Sequence, residues 1–181
     1  MTGDGPRVPP GTWRQTGPFV AAFAYAAGRV TGTESPAVFR TLGRHRRLFW
    51  GWLHFAGRLM PGGRLSRRES ELVILRVATT RGSDYELTQH RRLGRRAGLT
   101  ADEIARVEAG GLDGWAEPER TLLAAADELL ATDDLSDDTW AALRASYDER
   151  ATIEIVMLVG HYRMLATALH TLRVAPDRPR S

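Results

Sequence analysis

Three observations predict an all-α fold. Apolar residues recur at helical spacing along nearly the whole chain, and no run alternates as a half-buried strand would. Hydroxyl-x-x-Glu patterns open helices at Ser66–Glu69, Thr100–Glu103 and Ser83–Glu86. In such a box the hydroxyl accepts from a backbone N–H and the Glu reaches back to the cap. Stops are equally plain, at Pro61-Gly62-Gly63, Gly82, Gly98 and Gly110-Gly111.

The elements follow in order. Residues 1–17, with Pro6, Pro9, Pro10 and four glycines, read as a flexible arm. One domain is expected over 18–175. Its first helix lies near 18–30. A second helical region covers 36–60; it is opened by Ser35-Pro36, with Pro at the first helical position, and broken around Gly43–Arg46. Helices near 66–81, 84–97, 101–109, 118–132, 137–147 and 150–173 come next; Glu117-Pro118 and Ser136 open two of them. The connections are short, so neighbours should run antiparallel. The last helix is apolar almost all round, which makes it either the central core helix or part of a subunit interface. The tail 176–181 reads as flexible.

Composition removes whole classes of chemistry. The chain has 181 residues, 43% hydrophobic and 26% charged, which is globular usage for one domain with a real core. Cysteine is absent, so there are no disulfides, iron–sulfur clusters, thiolate zinc sites or thiol mechanisms. Lysine is absent too, which excludes Schiff-base chemistry and a Walker-type lysine. The net charge is +3, and the pI of about 9.9 reflects the high pKa of arginine rather than a polycation. Arginine in place of lysine, beside abundant alanine and glycine, is the mark of GC-rich codon usage, so no nucleic-acid partner is expected. The longest apolar stretch, Phe19–Ala27, falls short of the roughly 20 residues that span a bilayer. With no targeting signal in view, the expectation is a cytoplasmic protein without a membrane partner.

The stretch Ser66–Leu99 holds the candidate chemistry. Glu86 and His90 are four apart on one helix, about 5–6 Å between Cβ atoms on one face. A carboxylate beside an imidazole orients it and favours its charged form, which suits proton transfer. The turn at Gly82 folds the preceding helix back, so Glu71 is placed to reach the same pocket. The plain alternative is that Glu86 completes a capping box and His90 pairs with it at the surface. Arg76 and Arg91 are candidate binders of an anionic substrate, since a guanidinium meets a carboxylate bidentately. The other arginines up to Arg96 read as a solvated face. His161 with Tyr162 is either a satisfied buried polar pair or part of the pocket lining. Tyr85 either donates to a ligand or packs beneath the Gly82 turn. Trp50, Trp52 and Phe55 read as core or interface anchors. No H-x-x-x-H, H-E-x-x-H or E-x-x-H pair supports a metal, and none is expected.

The ordered set RRESELVILRVA, GSDYELTQH and AGLTADEI resembles the carboxymuconolactone decarboxylase family, which is grouped with the AhpD-like alkylhydroperoxidases. The resemblance runs from Arg40 to Val174, and takes in the tryptophan-rich helix before Pro61 and the VGHYRMLATAL helix. It implies an AhpD-like bundle of about seven to eight helices. It also implies a homo-oligomer, a trimer or a hexamer, which the surplus of large apolar side chains at Phe19–Tyr25 and Phe49–Phe55 supports. AhpD-type members carry Cys-x-x-Cys, a His four after the second Cys and a Glu twelve before the first. Here those positions are Ser83, Glu86, His90 and Glu71. Without thiols the peroxidatic cycle has no chemistry. What survives is the acid–base part, Glu71, Glu86 and His90, with Ser83, Tyr85, His161, Arg76 and Arg91 as candidate substrate contacts. The implied function is cofactor-free decarboxylation or related proton transfer on a small carboxylated, lactone or secondary-metabolite substrate. A catalytically silent binding or scaffold protein is the alternative.

Overall fold

A computed structural model describes residues 5–178. Residues 1–4 and 179–181, the ends of the expected arm and tail, lie outside the described residues. The described chain is all-helical, with ten helices: α1 Trp13–Thr16, α2 Pro18–Thr31, α3 Ala37–Leu42, α4 Arg46–Leu59, α5 Arg67–Thr80, α6 Asp84–Arg96, α7 Ala101–Ala109, α8 Glu119–Thr132, α9 Asp137–Ser146 and α10 Glu149–Leu172. The capping boxes at Ser66 and Thr100 form as expected, and Ser136 caps α9. The break in the second helical region is real and separates α3 from α4.

At the centre is α5. Nine consecutive residues, Ser70–Ala78, are buried, because α6, α7, α8 and α10 all pack on it. Gly82, at φ +60°, lets the chain reverse tightly enough for the Ser83 N–H to reach the Ala78 carbonyl at 2.8 Å. That turn lays α6 antiparallel on α5. Gly94 keeps the pair close: a Cβ there would meet Leu99 at 3.0 Å and Leu75 at 3.5 Å. By length and composition α10 would suffice to cross a membrane. In this fold it is a core helix, and Ile155, Leu158, Val159 and Leu165 join the main apolar cluster.

The chain ends, expected as a flexible arm and tail, make contacts with the bundle in their described parts. Residues 5–17 are not a free arm in their described part. The Arg7 N–H meets the Leu172 carbonyl, the Gly11 N–H meets the Arg40 carbonyl, and a one-turn helix buries Thr16. The tail also docks: Asp177 accepts from the Ala37 N–H at 2.7 Å and the Tyr85 hydroxyl at 2.5 Å, and also from the Gln89 amide. Proline and glycine content signalled irregular backbone correctly, but irregular backbone can still be pinned.

Candidate active site

The α5–α6 hairpin brings Glu71 against His90. His90 Nδ1 lies 2.7 Å from Glu71 Oε2. Glu71 is completely buried, and its other oxygen sits 2.8 Å from the Arg67 guanidinium one turn earlier on α5. A carboxylate clamped in this way is an acceptor, so Nδ1 carries the proton. Nε2 is then the nitrogen left for a ligand. Tyr162 from α10 meets the His90 ring edge-on, with centroids 5.3 Å apart, and closes the site from the side opposite the hairpin.

Glu86 lies on the same face of α6 as His90, and it is not a capping residue. Ser83 is the N-cap of α6, but its side chain accepts no capping hydrogen bond. The Glu86 carboxyl turns inward instead, 2% exposed, and neither oxygen has a hydrogen-bond partner. Burial pushes it up to about 7, against smaller opposing pulls from the Ser83 side chain and the His90 ring. Near neutral pH it is therefore poised between acid and base.

Both residues open into a cavity of about 420 Å³. Its walls are apolar and largely aromatic: Phe23 from α2, Phe39 from α3, Trp52 from α4, Tyr85 from α6 and Tyr162 from α10. Among the described residues lining it, the basic side chains are His90 and His161. His161 is buried, and burial pushes its imidazole down to about 4. Among the described residues no group of three His, Asp or Glu side chains is arranged to hold a metal.

The hairpin and α10 thus gather Glu71, Glu86, His90, Tyr85 and His161, with Glu71 behind His90 and the rest on the lining. The other three candidates lie elsewhere. Arg76 is buried on the far side of α5, where it donates to the Gly111 carbonyl and faces Asp127 at 3.5 Å. Five positions on from Glu71 is about 140° round the helix, so the two cannot share a pocket. Arg91, one position after His90 and so about 100° away, pairs bidentately with Glu108 on α7. Ser83 does not line the cavity; it borders a surface depression beside His170 and Arg173. Tyr85 lines the cavity, but its hydroxyl is committed to Asp177. Gln89 and Asp177, which brace this wall, were not legible in the sequence; nothing local marks a tail aspartate as the partner of residues 88 to 140 positions away.

The all-helical architecture is of the AhpD-like class of fold, and comparison with known proteins agrees. Residues 46–128, which carry Glu71, Glu86 and His90, match the model of the carboxymuconolactone decarboxylase family. A peroxidase-related protein from Ralstonia eutropha JMP134, with an alkylhydroperoxidase AhpD core, superposes with a TM-score of 0.80 at 16% identity, over 96% of this chain and 93% of that one. A peroxidase-related protein from Silicibacter sp. TM1040 gives 0.79 at 16% identity, over 86% and 83%. The debrominase Bmp8 gives 0.79 at 16% identity, over 93% and 91%. No curated protein matches the chain. The chain thus resembles carboxymuconolactone decarboxylase/AhpD-like proteins in its central segment and in its fold, and it contains no cysteine.

Proposed function

We propose that the cavity is the active site of a small-molecule enzyme that runs proton-transfer chemistry through His90, Glu71 and Glu86 without a cofactor. The observation that carries this reading is the Glu71–His90 hydrogen bond at the cavity lining, one helical turn from an unpartnered Glu86 carboxyl held up to about 7. The cavity is of ligand size and its walls are mainly apolar. The lining favours an uncharged lactone or carbonyl compound over a carboxylate, because Arg76 and Arg91, the expected anion binders, are engaged elsewhere. Bmp8 has a structure with 2,3,4-tribromopyrrole, a small, flat, uncharged ring, which agrees with that preference.

The chemistry is an isomerisation next to a carbonyl. His90 Nε2 takes a proton from the carbon beside the carbonyl, and the electron pair moves into the carbonyl oxygen. Glu86, protonated below about 7, donates a hydrogen bond to the enolate oxygen. His90 then returns the proton to the far carbon of the conjugated system, so charge and atoms balance. Glu71 holds the ring and compensates its transient charge. The family match favours a second outcome at the same groups: a substrate carboxylate leaves as carbon dioxide, its electron pair forms the dienolate, and His90, entering this cycle as the imidazolium beside Glu71, gives its Nε2 proton to the dienolate carbon and regains one from solvent.

In deuterium oxide, wild-type protein with β,γ-unsaturated ketones and enol-lactones should exchange a carbon-bound proton, seen by proton NMR, and His90→Gln should abolish the exchange. Compounds that bind the cavity without exchange or carbon dioxide release would leave the silent binding protein. This proposal also includes a cytoplasmic location and self-association. The apolar groove between α4 and α10, bordered by exposed Leu48, Val156, Met157 and Met164, supports the latter. Sedimentation at micromolar concentration tests it, and a sharp 20.0 kDa species would refute it.

A further inference from the structure

Besides the two Glu86 oxygens, two further polar atoms beside the cavity have no partner. Trp52 Nε1 and His161 Nδ1 are both buried and neither makes a hydrogen bond. Their rings stack, with centroids 6.1 Å apart and planes 16° from parallel. They come from different helices, α4 and α10, and with Leu165 they line both the cavity and the outer groove. A buried donor or acceptor left unpaired costs about 1–3 kcal/mol, and here two such groups sit on adjacent rings. His161 and His90 both meet the Tyr162 ring edge-on, at 5.2 and 5.3 Å. The unpaired groups are therefore one aromatic ring away from the acid–base pair.

We propose that the stacked Trp52–His161 pair is the polar anchor of the cavity, and that it holds a flat, uncharged, ring-containing ligand through one oxygen of that ligand. This rests on the cavity being the substrate site. The ligand atom follows from the donor inventory. An indole N–H only donates, so the ligand must accept; a neutral imidazole takes either role. A hydroxyl oxygen can accept from Trp52 and donate to His161, and a carbonyl oxygen can accept from both. Because burial pushes His161 down to about 4, the ring is uncharged at neutral pH and offers a carboxylate no counter-charge. The flat shape follows from the walls, where Phe23, Phe39, Trp52 and Tyr162 present ring surfaces.

Three probes of one shape test this at pH 7: 2-naphthol, naphthalene and 2-naphthoate. In wild-type protein, 2-naphthol should bind about five- to tenfold more tightly than naphthalene, the range set by one or two modest net hydrogen bonds. It should also bind at least about tenfold more tightly than 2-naphthoate, whose charge would be buried without a partner. Nitrogen-15 NMR should show the Trp52 indole N–H and the His161 ring nitrogens shifting with 2-naphthol and not with naphthalene. His161→Phe keeps the stack and removes one of the two hydrogen bonds while Trp52 keeps the other, so it should cut the naphthol preference about two- to threefold and leave naphthalene affinity within about twofold. If that variant does not fold, the wild-type spectra decide.

Equal loss of both probes in His161→Phe overturns the anchor. So does naphthoate binding as tightly as naphthol, naphthol binding without the two NMR shifts, or the failure of all three probes to bind. His90→Gln separates the two readings. It should lose proton exchange and keep the preference for naphthol over naphthalene. A naphthol preference with no exchange in any substrate would sink the proposed chemistry and spare the anchor.

Discussion

Glu71 and Arg76 are both hidden on α5, five residues apart, and the two flanks of that helix treat them differently. On one flank Glu71 pairs with His90, whose ring lines an apolar cavity. On the other, Arg76 faces Asp127 and the Gly111 carbonyl, amid an apolar cluster of Leu72, Leu75, Ile104, Val107 and Trp115. Nearby, Arg68 bridges Glu103 and Glu119, and this holds both acids beside a cation. Buried charge alone therefore does not mark a site. What separates the flanks is that one charge ends on a group that borders empty space, and the other ends on groups that complete the packing.

The sharpest test of that contrast is His90→Ala, which should lower turnover about 10²–10⁴-fold while the midpoint of thermal unfolding changes little. Loss below tenfold would move the chemistry off this flank. Arg76→Met should do the reverse. Removing a buried cation leaves Asp127 unpaired, with an expected cost of about 2–3 kcal/mol in urea unfolding, below the fully buried case because Asp127 is partly solvated. Ligand affinity in the cavity should not change, and a variant that lost affinity without losing stability would erase the distinction.

Glu86→Gln probes the cavity flank through pH. The carboxyl rises from 4.5 to about 7 on folding, so between those values the folded state holds more protons than the unfolded one. Its stabilising share is full below about pH 4.5 and is lost as pH rises through 7, by at most about 3 kcal/mol. His161, pushed down to about 4 from 6.5, acts with the opposite sign between those two values. The difference between wild type and Glu86→Gln therefore isolates Glu86: from pH 5 to pH 8 wild type should lose more stability than the variant. Arg91→Ala carries the smallest effect. Its pair with Glu108 is half-exposed, so stability should move by less than about 0.5 kcal/mol and ligand affinity not at all.

The sequence showed the helices because their ends are written locally. Ser66, Thr100 and Ser136 are caps that need only residues three or four positions away, and Gly82 suffices to turn α5 into α6. Glu71, Glu86 and His90 were legible because one hairpin holds all three. The anion-binding arginines were misplaced because helical spacing tells which residues share a face and not which neighbour that face meets. The order at the chain ends was invisible for a related reason. Asp177 is fixed by Ala37, Tyr85 and Gln89, partners that only the finished fold brings to it. The Ser83–Glu86 pattern misled most directly, since it spells a capping box that burial of Glu86 overrides.

The unbroken burial of residues 70–78 sets a timescale as well as a position. An amide in a helix with no solvent-facing side gives up its hydrogen to exchange only when much of the molecule opens. The backbone that carries Glu71 should thus be among the slowest to take up deuterium. The wall formed by α3 and held by the Asp177 side chain has far fewer layers over it and should exchange sooner. Motion that admits a ligand is then expected at that thinner wall, while the carboxylate behind His90 stays fixed through each cycle of entry and release.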